Sequence, residues 1–256
     1  MEQTSKKLEM LGRLRNNEEA FILFSKCTNM PYVYCDPESY NDLVYIYEKE
    51  EEAKERAKEL TEGQKQPVQV VKLKKEQFLS FYSSLYLMGA NALMVNAGTQ
   101  EEMEIQLEEL VRRPDYSNLP KDKVKVENPQ LHLTALYFMQ TLRRGEKPEI
   151  TQELKELEEE MLVNLRKGTY VVPVQEDKKV PLMKMKNGDS YQPIFTDVME
   201  FNKFNIKKNF RGAVVPFANL HKILIEQSKG FVINPLGFHL VVVREQVTPI
   251  QPKTAS

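Results

Sequence analysis

Two apolar runs in this chain stop in the same way. Ala92-Leu93-Met94-Val95 ends at Asn96, with Gly98 just beyond. Phe231-Val232-Ile233 ends at Asn234, which is followed by Pro235-Leu236-Gly237. Asn234 follows Asn96 by 138 positions. A fold must place both stops at comparable strand ends or explain the echo as chance, so the pair constrains the architecture more than any other feature. Asn-Pro-x-Gly has the residue preferences of a type I turn, and Asn-Ala-Gly puts glycine where a type II turn needs a positive φ. Asparagine at such a position can also accept a backbone N–H two residues on, which would end the strand.

The surrounding sequence extends the echo. "FILFSKCTNMPYVYC" answers "MLVNLRKGTYVVPV", with Tyr32-Val33 set against Tyr170-Val171. "YIYEKEEEAKERA" answers "PIFTDVMEFNKF", a strand feeding an acidic helix start. "VQVVKLKKEQFLSFYSSLYLMGANALMVNAG" answers "AVVPFANLHKILIEQSKGFVINPLG": strand, helix, strand, Asn, Gly. The expected architecture is α/β: two related modules of about 90 residues, within the usual size of small domains. Each is expected to be a small mixed sheet with flanking helices.

Local signals give the elements. Leu8, Leu11 and Leu14 mark an opening helix, and Ala20, Leu23 and Phe24 predict a second. "PYVYC" and "LVYIY" read as a hairpin across "DPESYND". A charged helix follows, then strand 68–74, then a helix that stops at Gly89. Thr99 with Glu102 suggests a capping box opening a helix in "QEEMEIQLEELVRR". "PDYSNLPKDKVKVEN" is polar and proline-punctuated and reads as a linker. Asn128-Pro129 opens one helix and Thr151 caps another. Asn187-Gly188 signals a hairpin, and the helix "ANLHKILIEQSKG" precedes the strand that ends at Asn234. These signals divide the chain into a first module at 1–111, a linker and helix at 112–150, a second module at 151–248, and a loose tail at 249–256.

The order of motifs in the second half is helix, strand "YVVPV", hairpin, "PIFTD" at a helix start, strand, short helix, "FVINPLG" and a last strand. It resembles the SseB family, whose founding member is named for enhanced serine sensitivity. Phe195-Thr196-Asp197 and Ile233-Asn234-Pro235 carry the resemblance, which spans Thr151 to about Val247. The first half is similar but departs from the pattern, with "IYEK" in place of "FTD" and "VNAG" in place of "NP". The resemblance implies an α/β protein of the cytoplasm. It brings no reaction and no catalytic set.

Composition narrows the function classes. The 256 residues are 41% hydrophobic and 29% charged, a globular balance. Thirty-six basic residues against 37 acidic leave a net charge of -1, so no field of one sign favours nucleic acid or a membrane surface. Two cysteines and a charged N-terminus without an apolar core suggest the cytoplasm. His132, His221 and His239 are too scattered to suggest a metal site, and no cofactor motif is present.

Asn234, Asp197, Thr196 and His221 are the candidate ligand-binding residues. The acids at helix starts also read simply as caps that complement the helix dipole. Tyr34, Tyr45 and Tyr47 share a hairpin and are the candidate partner-binding residues, if they are exposed. Packing across the hairpin is the competing reading. The function expected is non-catalytic binding or regulation, with a protein partner or a small ligand. The alternatives are an enzyme with a polar site near Asn234, Asp197 and His221, or a homo-oligomer assembled through the helical middle.

Overall fold

A computed structural model describes residues 2–113, 125–145, 149–176 and 179–248. The expected tail at 249–256 and most of the expected linker lie outside the described residues. The first half runs α1 (Glu2–Asn16), β1 (Glu19–Ser25), β2 (Met30–Pro31), β3 (Val33–Cys35), β4 (Asp42–Tyr47), α2 (Glu50–Gly63), β5 (Val68–Lys74), α3 (Lys75–Met88), β6 (Ala92–Val95), β7 (Met103–Gln106) and α4 (Leu107–Leu110). Helix α5 (Pro129–Arg143) follows. The second half runs α6 (Gln152–Lys167), β8 (Thr169–Val174), β9 (Met183–Lys184), β10 (Ser190–Ile194), α7 (Val198–Phe204), β11 (Arg211–Pro216), a 3-10 helix (Phe217–Lys222), β12 (Gly230–Ile233), β13 (Leu240–Val243) and α8 (Arg244–Val247). The chain is thus a mixed α/β protein with several small sheets.

Strand pairing runs in one pattern through both halves. β4 lies parallel to β6, and β10 parallel to β12. β7 closes β6 antiparallel, as β13 closes β12. β5 lies antiparallel to β1, and β11 to β8. A central parallel pair needs a crossover. α2-β5-α3 supplies it in the first half, and α7-β11 with the 3-10 helix supplies it in the second.

Many elements follow from local chemistry. α3 stops at Gly89, whose φ of 86° is open to glycine without strain. A side chain there would meet the carbonyl oxygen of Pro129 at 2.7 Å, so Gly89 also lets α5 approach. Thr151 caps α6 by accepting from the Leu154 amide at 3.1 Å. Ala53, Ala57 and Leu60 form the one buried stripe of the charged helix α2.

Three expected helices are corrected. Residues 19–25 form β1, pairing with β5 from Glu19–Lys74 to Ser25–Val68. This strand is covered on both faces, so its apolar run is continuous and the helical spacing at Ala20, Leu23 and Phe24 is incidental. Residues 103–106 form β7 rather than a long helix. Glu102 accepts from the Gly98 amide at 2.6 Å, and Thr99 accepts from Glu101, which folds a turn in place of a capping box. The helix expected at 218–230 is instead a short 3-10 helix, Phe217–Lys222. Downstream of it Gln192 holds the backbone, accepting from Ile225 N at 2.8 Å and donating to Ile223 O at 3.1 Å. The expected match of Tyr32-Val33 with Tyr170-Val171 also shifts. Tyr170 lies in β8, whose place in the pairing pattern is that of β1, while Tyr32 lies between β2 and β3.

The largest apolar core crosses both halves. It runs from Met10 and Leu14 of α1 through Leu131, Leu136 and Met139 of α5 to Phe231, Phe238 and Val242. Helix α5 is therefore an inner layer. Gln140 brackets Val33, accepting from its N–H at 3.2 Å and donating to its carbonyl at 2.9 Å. Tyr137 donates to Asp42. On the other side Asn128 donates to the carbonyls of Thr169 and Thr196, both at 2.6 Å, and accepts from Thr169 N. Arg143 donates to the carbonyls of Cys27, Phe238 and His239 at 2.8 to 3.0 Å.

Candidate functional site

Both asparagines end their strands in the left-handed region, Asn96 at φ 49° and Asn234 at φ 44°. Asparagine tolerates this conformation better than other side chains. The turns form as expected: Asn234 O accepts from Gly237 N at 2.9 Å, and Asn96 O from Thr99 N at 3.1 Å. The side chains do something different from the expected local acceptance. Asn234 Oδ1 accepts from the backbone of Thr196 at 3.0 Å, and Nδ2 donates to Thr196 Oγ1 at 2.8 Å. Asn96 makes the equivalent pair with Glu48, accepting from its N–H and donating to its carboxylate, each at 3.0 Å. Each asparagine thus ties the end of one strand to the end of its parallel neighbour.

In the second half this tie leads to a buried acidic cluster. Thr196 Oγ1 donates to Asp197 Oδ2 at 2.8 Å. Asp197 caps α7, its Oδ1 accepting from Glu200 N at 2.9 Å. His132 of α5 stands 3.8 Å from Asp197 Oδ2. That is longer than a hydrogen bond, so the imidazole acts on the carboxylate through charge when protonated. Burial pushes the Asp197 carboxyl up. The charge of His132, the Glu200 amide and the Thr196 hydroxyl outweigh burial and hold it below its usual value. Neither ring nitrogen of His132 has a hydrogen-bond partner among the described residues, and the same holds for Glu200 Oε2. His132 is 1% exposed and Glu200 4%. Such groups are costly to bury unpaired.

These groups line a cavity of about 130 Å³. Its walls come from three places: Met30, Phe81 and Met88 of the first half, His132 of α5, and Asp197, Met199, Glu200 and Lys203 of the second half. Lys203 reaches Glu200 Oε1 from the rim. The turn after Asn234 packs against two of the wall residues, Met30 and Glu200. A side chain at Gly237 would lie 3.2 Å from Met30 Sδ and 3.3 Å from Glu200 Oε2.

Of the residues singled out from sequence, Asn234, Thr196 and Asp197 come together. His221 does not join them. It sits in the 3-10 helix, and no hydrogen bond or ion pair links it to the cluster among the described residues; its place beside Asp197 is taken by His132. His132 had a readable signal, as the histidine in "LHLTAL" lies on a helix that is apolar nearly all round. Glu200 had none, because Asp-x-x-Glu at a helix start reads as a cap.

The tyrosine surface is corrected. Tyr45 and Tyr47 are buried with Tyr32 in a second apolar core beneath Ala53, Ala57 and Leu60. Tyr45 stacks on Tyr32 with centroids 6.1 Å apart, and the Arg56 guanidinium lies 5.4 Å from the Tyr45 ring. Their side chains contact the sheet and α2, which removes them from any partner surface. Tyr34 alone is half-buried, at the edge of a groove with Tyr137 and Arg144. Both cysteines are free thiols, Cys27 buried and Cys35 exposed. Among the described residues no group of three or more His, Cys, Asp or Glu is placed to hold a metal ion, and no helix is long and apolar enough to cross a membrane.

Comparison with known proteins gives a domain and two faint likenesses. No curated protein matches the chain. Tic22 from Plasmodium falciparum aligns over 93% of both chains at 14% identity with a TM-score of 0.23. A Tic22 of Anabaena, described as protein transport, aligns over 81% of both at 9% identity and a TM-score of 0.22. Likeness of that size carries no argument. Residues 150–248, which contain Asn234, Thr196, Asp197 and Glu200, match the model of the SseB protein N-terminal domain, and the family likeness is that of this segment.

Proposed function

We propose that this protein is a non-catalytic binding protein that takes a small molecule in the cavity between its two halves. The carrying observation is the set of unpaired buried polar atoms on that cavity, His132 Nδ1 and Nε2 and Glu200 Oε2. Pockets with mostly apolar walls and a few convergent polar groups are the usual form of ligand sites. A ligand there touches both halves and α5 at once, so binding stabilises their packing by mass action. That is the basis for a regulatory output.

The two halves are read as copies of one unit, supported by their common pairing pattern and the matched asparagine ties. On this reading the second copy kept the family residues Thr196, Asp197 and Asn234. The first copy replaced them with Glu48, Lys49 and Asn96 and became the wall of the cavity. An enzymatic reading finds less support. Thr196 Oγ1 already donates to Asp197 and accepts from Asn234, so it offers no free nucleophile.

The test is a screen of small polar fragments against the full chain with carbon-13-labelled methionine methyls. A subset of fragments should shift Met30, Met88 and Met199 and leave the distant Met183 unmoved. Failure of every fragment to move the cavity methyls would sink the proposal.

A further inference from the structure

Resting on that binding site, we infer that its ligand is a small organic cation, with a primary ammonium group against Glu200 Oε2 and a short apolar stem along Met30, Phe81 and Met199. The cavity is rich in acceptors. Glu200 Oε2 has no partner among the described residues, and each Asp197 oxygen accepts one hydrogen bond and keeps a free lone pair. Donors are scarce. Lys203 gives one N–H to Glu200 Oε1 from the rim, where its side chain is half exposed, and a neutral imidazole at His132 has one N–H.

Charge points the same way. The titratable groups on the wall are Asp197, Glu200, Lys203 and His132. Two carboxylates against one lysine and one histidine give the wall no net positive charge in either state of the imidazole. An anion would meet like charge in a desolvated site, which is costly. A cation offsets the carboxylates and gives the orphan oxygen a charge-assisted hydrogen bond.

The remaining walls separate an organic cation from a metal ion. Phe81, Met30, Met88 and Met199 are apolar, and the described residues hold no group of three or more His, Cys, Asp or Glu for a metal. Phe24 and Phe81 also line the cavity and bring aromatic rings beside an alkylammonium. The volume admits only a few heavy atoms. Gly237 fits this picture, since any larger residue there would intrude beside Glu200 Oε2.

The test uses n-propylammonium, 1-propanol and propionate at equal concentration and ionic strength, read on the methionine methyls of the full chain. Propylammonium should shift Met30 and Met199, and the other two should not. Glu200→Gln should weaken propylammonium at least tenfold. Gly237→Ala should do the same with all charges in place, so the inference remains testable if the Glu200 variant misfolds. Equal or stronger shifts with propanol or propionate would overturn the cation assignment and leave the binding site standing. No shift with any of the three would also overturn the assignment, with the fragment screen deciding whether the site stands. Unchanged propylammonium affinity in folded Glu200→Gln would overturn it as well.

Discussion

Asn234 and Thr196 exchange two hydrogen bonds, one from the Thr196 amide to Oδ1 at 3.0 Å and one from Nδ2 to the Thr196 hydroxyl at 2.8 Å. Both residues are fully buried. Asn234→Ala leaves the Thr196 amide unpaired, at about 2 kcal/mol, and puts alanine into a left-handed backbone, at about 1 kcal/mol more. Asn234→Gly removes only the second penalty. Urea denaturation should rank the proteins wild type, Gly, then Ala. Equal stability of the two variants would show that backbone strain plays no part.

Asp197 links stability to pH. Its folded carboxyl lies below the usual aspartate value, so it stabilises the fold above about pH 4. That stabilisation fades as the pH falls through the depressed folded value. The wild type should therefore lose stability more steeply in acid than Asp197→Asn, while at neutral pH the variant is the weaker of the two. Parallel stability curves below pH 4 would contradict the assignment.

Tyr47 and Tyr34 should respond very differently to truncation. Tyr47 is fully buried and its hydroxyl donates to the Ala97 carbonyl at 3.3 Å. Tyr47→Ala should cost about 3 to 5 kcal/mol, in the range of large core deletions. Tyr34→Ala should cost about 1 kcal/mol or less. Chemical denaturation of both variants checks this. A mild Tyr47→Ala would mean that the hairpin packs less tightly than described.

Gly230 opens β12 at a φ of 153°, opposite Val243 of β13. A side chain there would lie 2.1 Å from the Val242 carbonyl oxygen. Gly230→Ala must push β13 away and should destabilise by more than about 3 kcal/mol. Soluble expression and thermal unfolding read the effect. A variant as stable as wild type would place β13 elsewhere.

How much was legible varies with where the information lies. The bounds of β5, α3 and α7 could be read directly, because turn chemistry and apolar spacing agree there. β1 was misread because both its faces are covered, and a continuous apolar run has no period to distinguish strand from helix. β7 was misread because its glutamates suggested a helix, while Met103 and Ile105 share the face of the sheet that meets the large core. At the site, Asn234, Thr196 and Asp197 were legible as neighbours because one strand pairing brings them together. The addition of His132 and Glu200, and the exclusion of His221, depend on how α5 packs between the halves. No local pattern encodes that.

The grip of Arg143 also sets an order of events during synthesis. Chains emerge from the ribosome N-terminus first, at about 5 to 20 residues per second, and domains tend to fold as they appear. Arg143 can meet the Cys27 carbonyl soon after α5 emerges, but its other two partners, Phe238 and His239, lie roughly a hundred residues further along the chain. Until then the guanidinium is only part-satisfied and the far side of α5 has nothing to cover it. The nascent first half therefore carries an uncovered apolar helix through the time needed to translate roughly a hundred residues, and transiently exposed apolar surface of that kind is prone to aggregate.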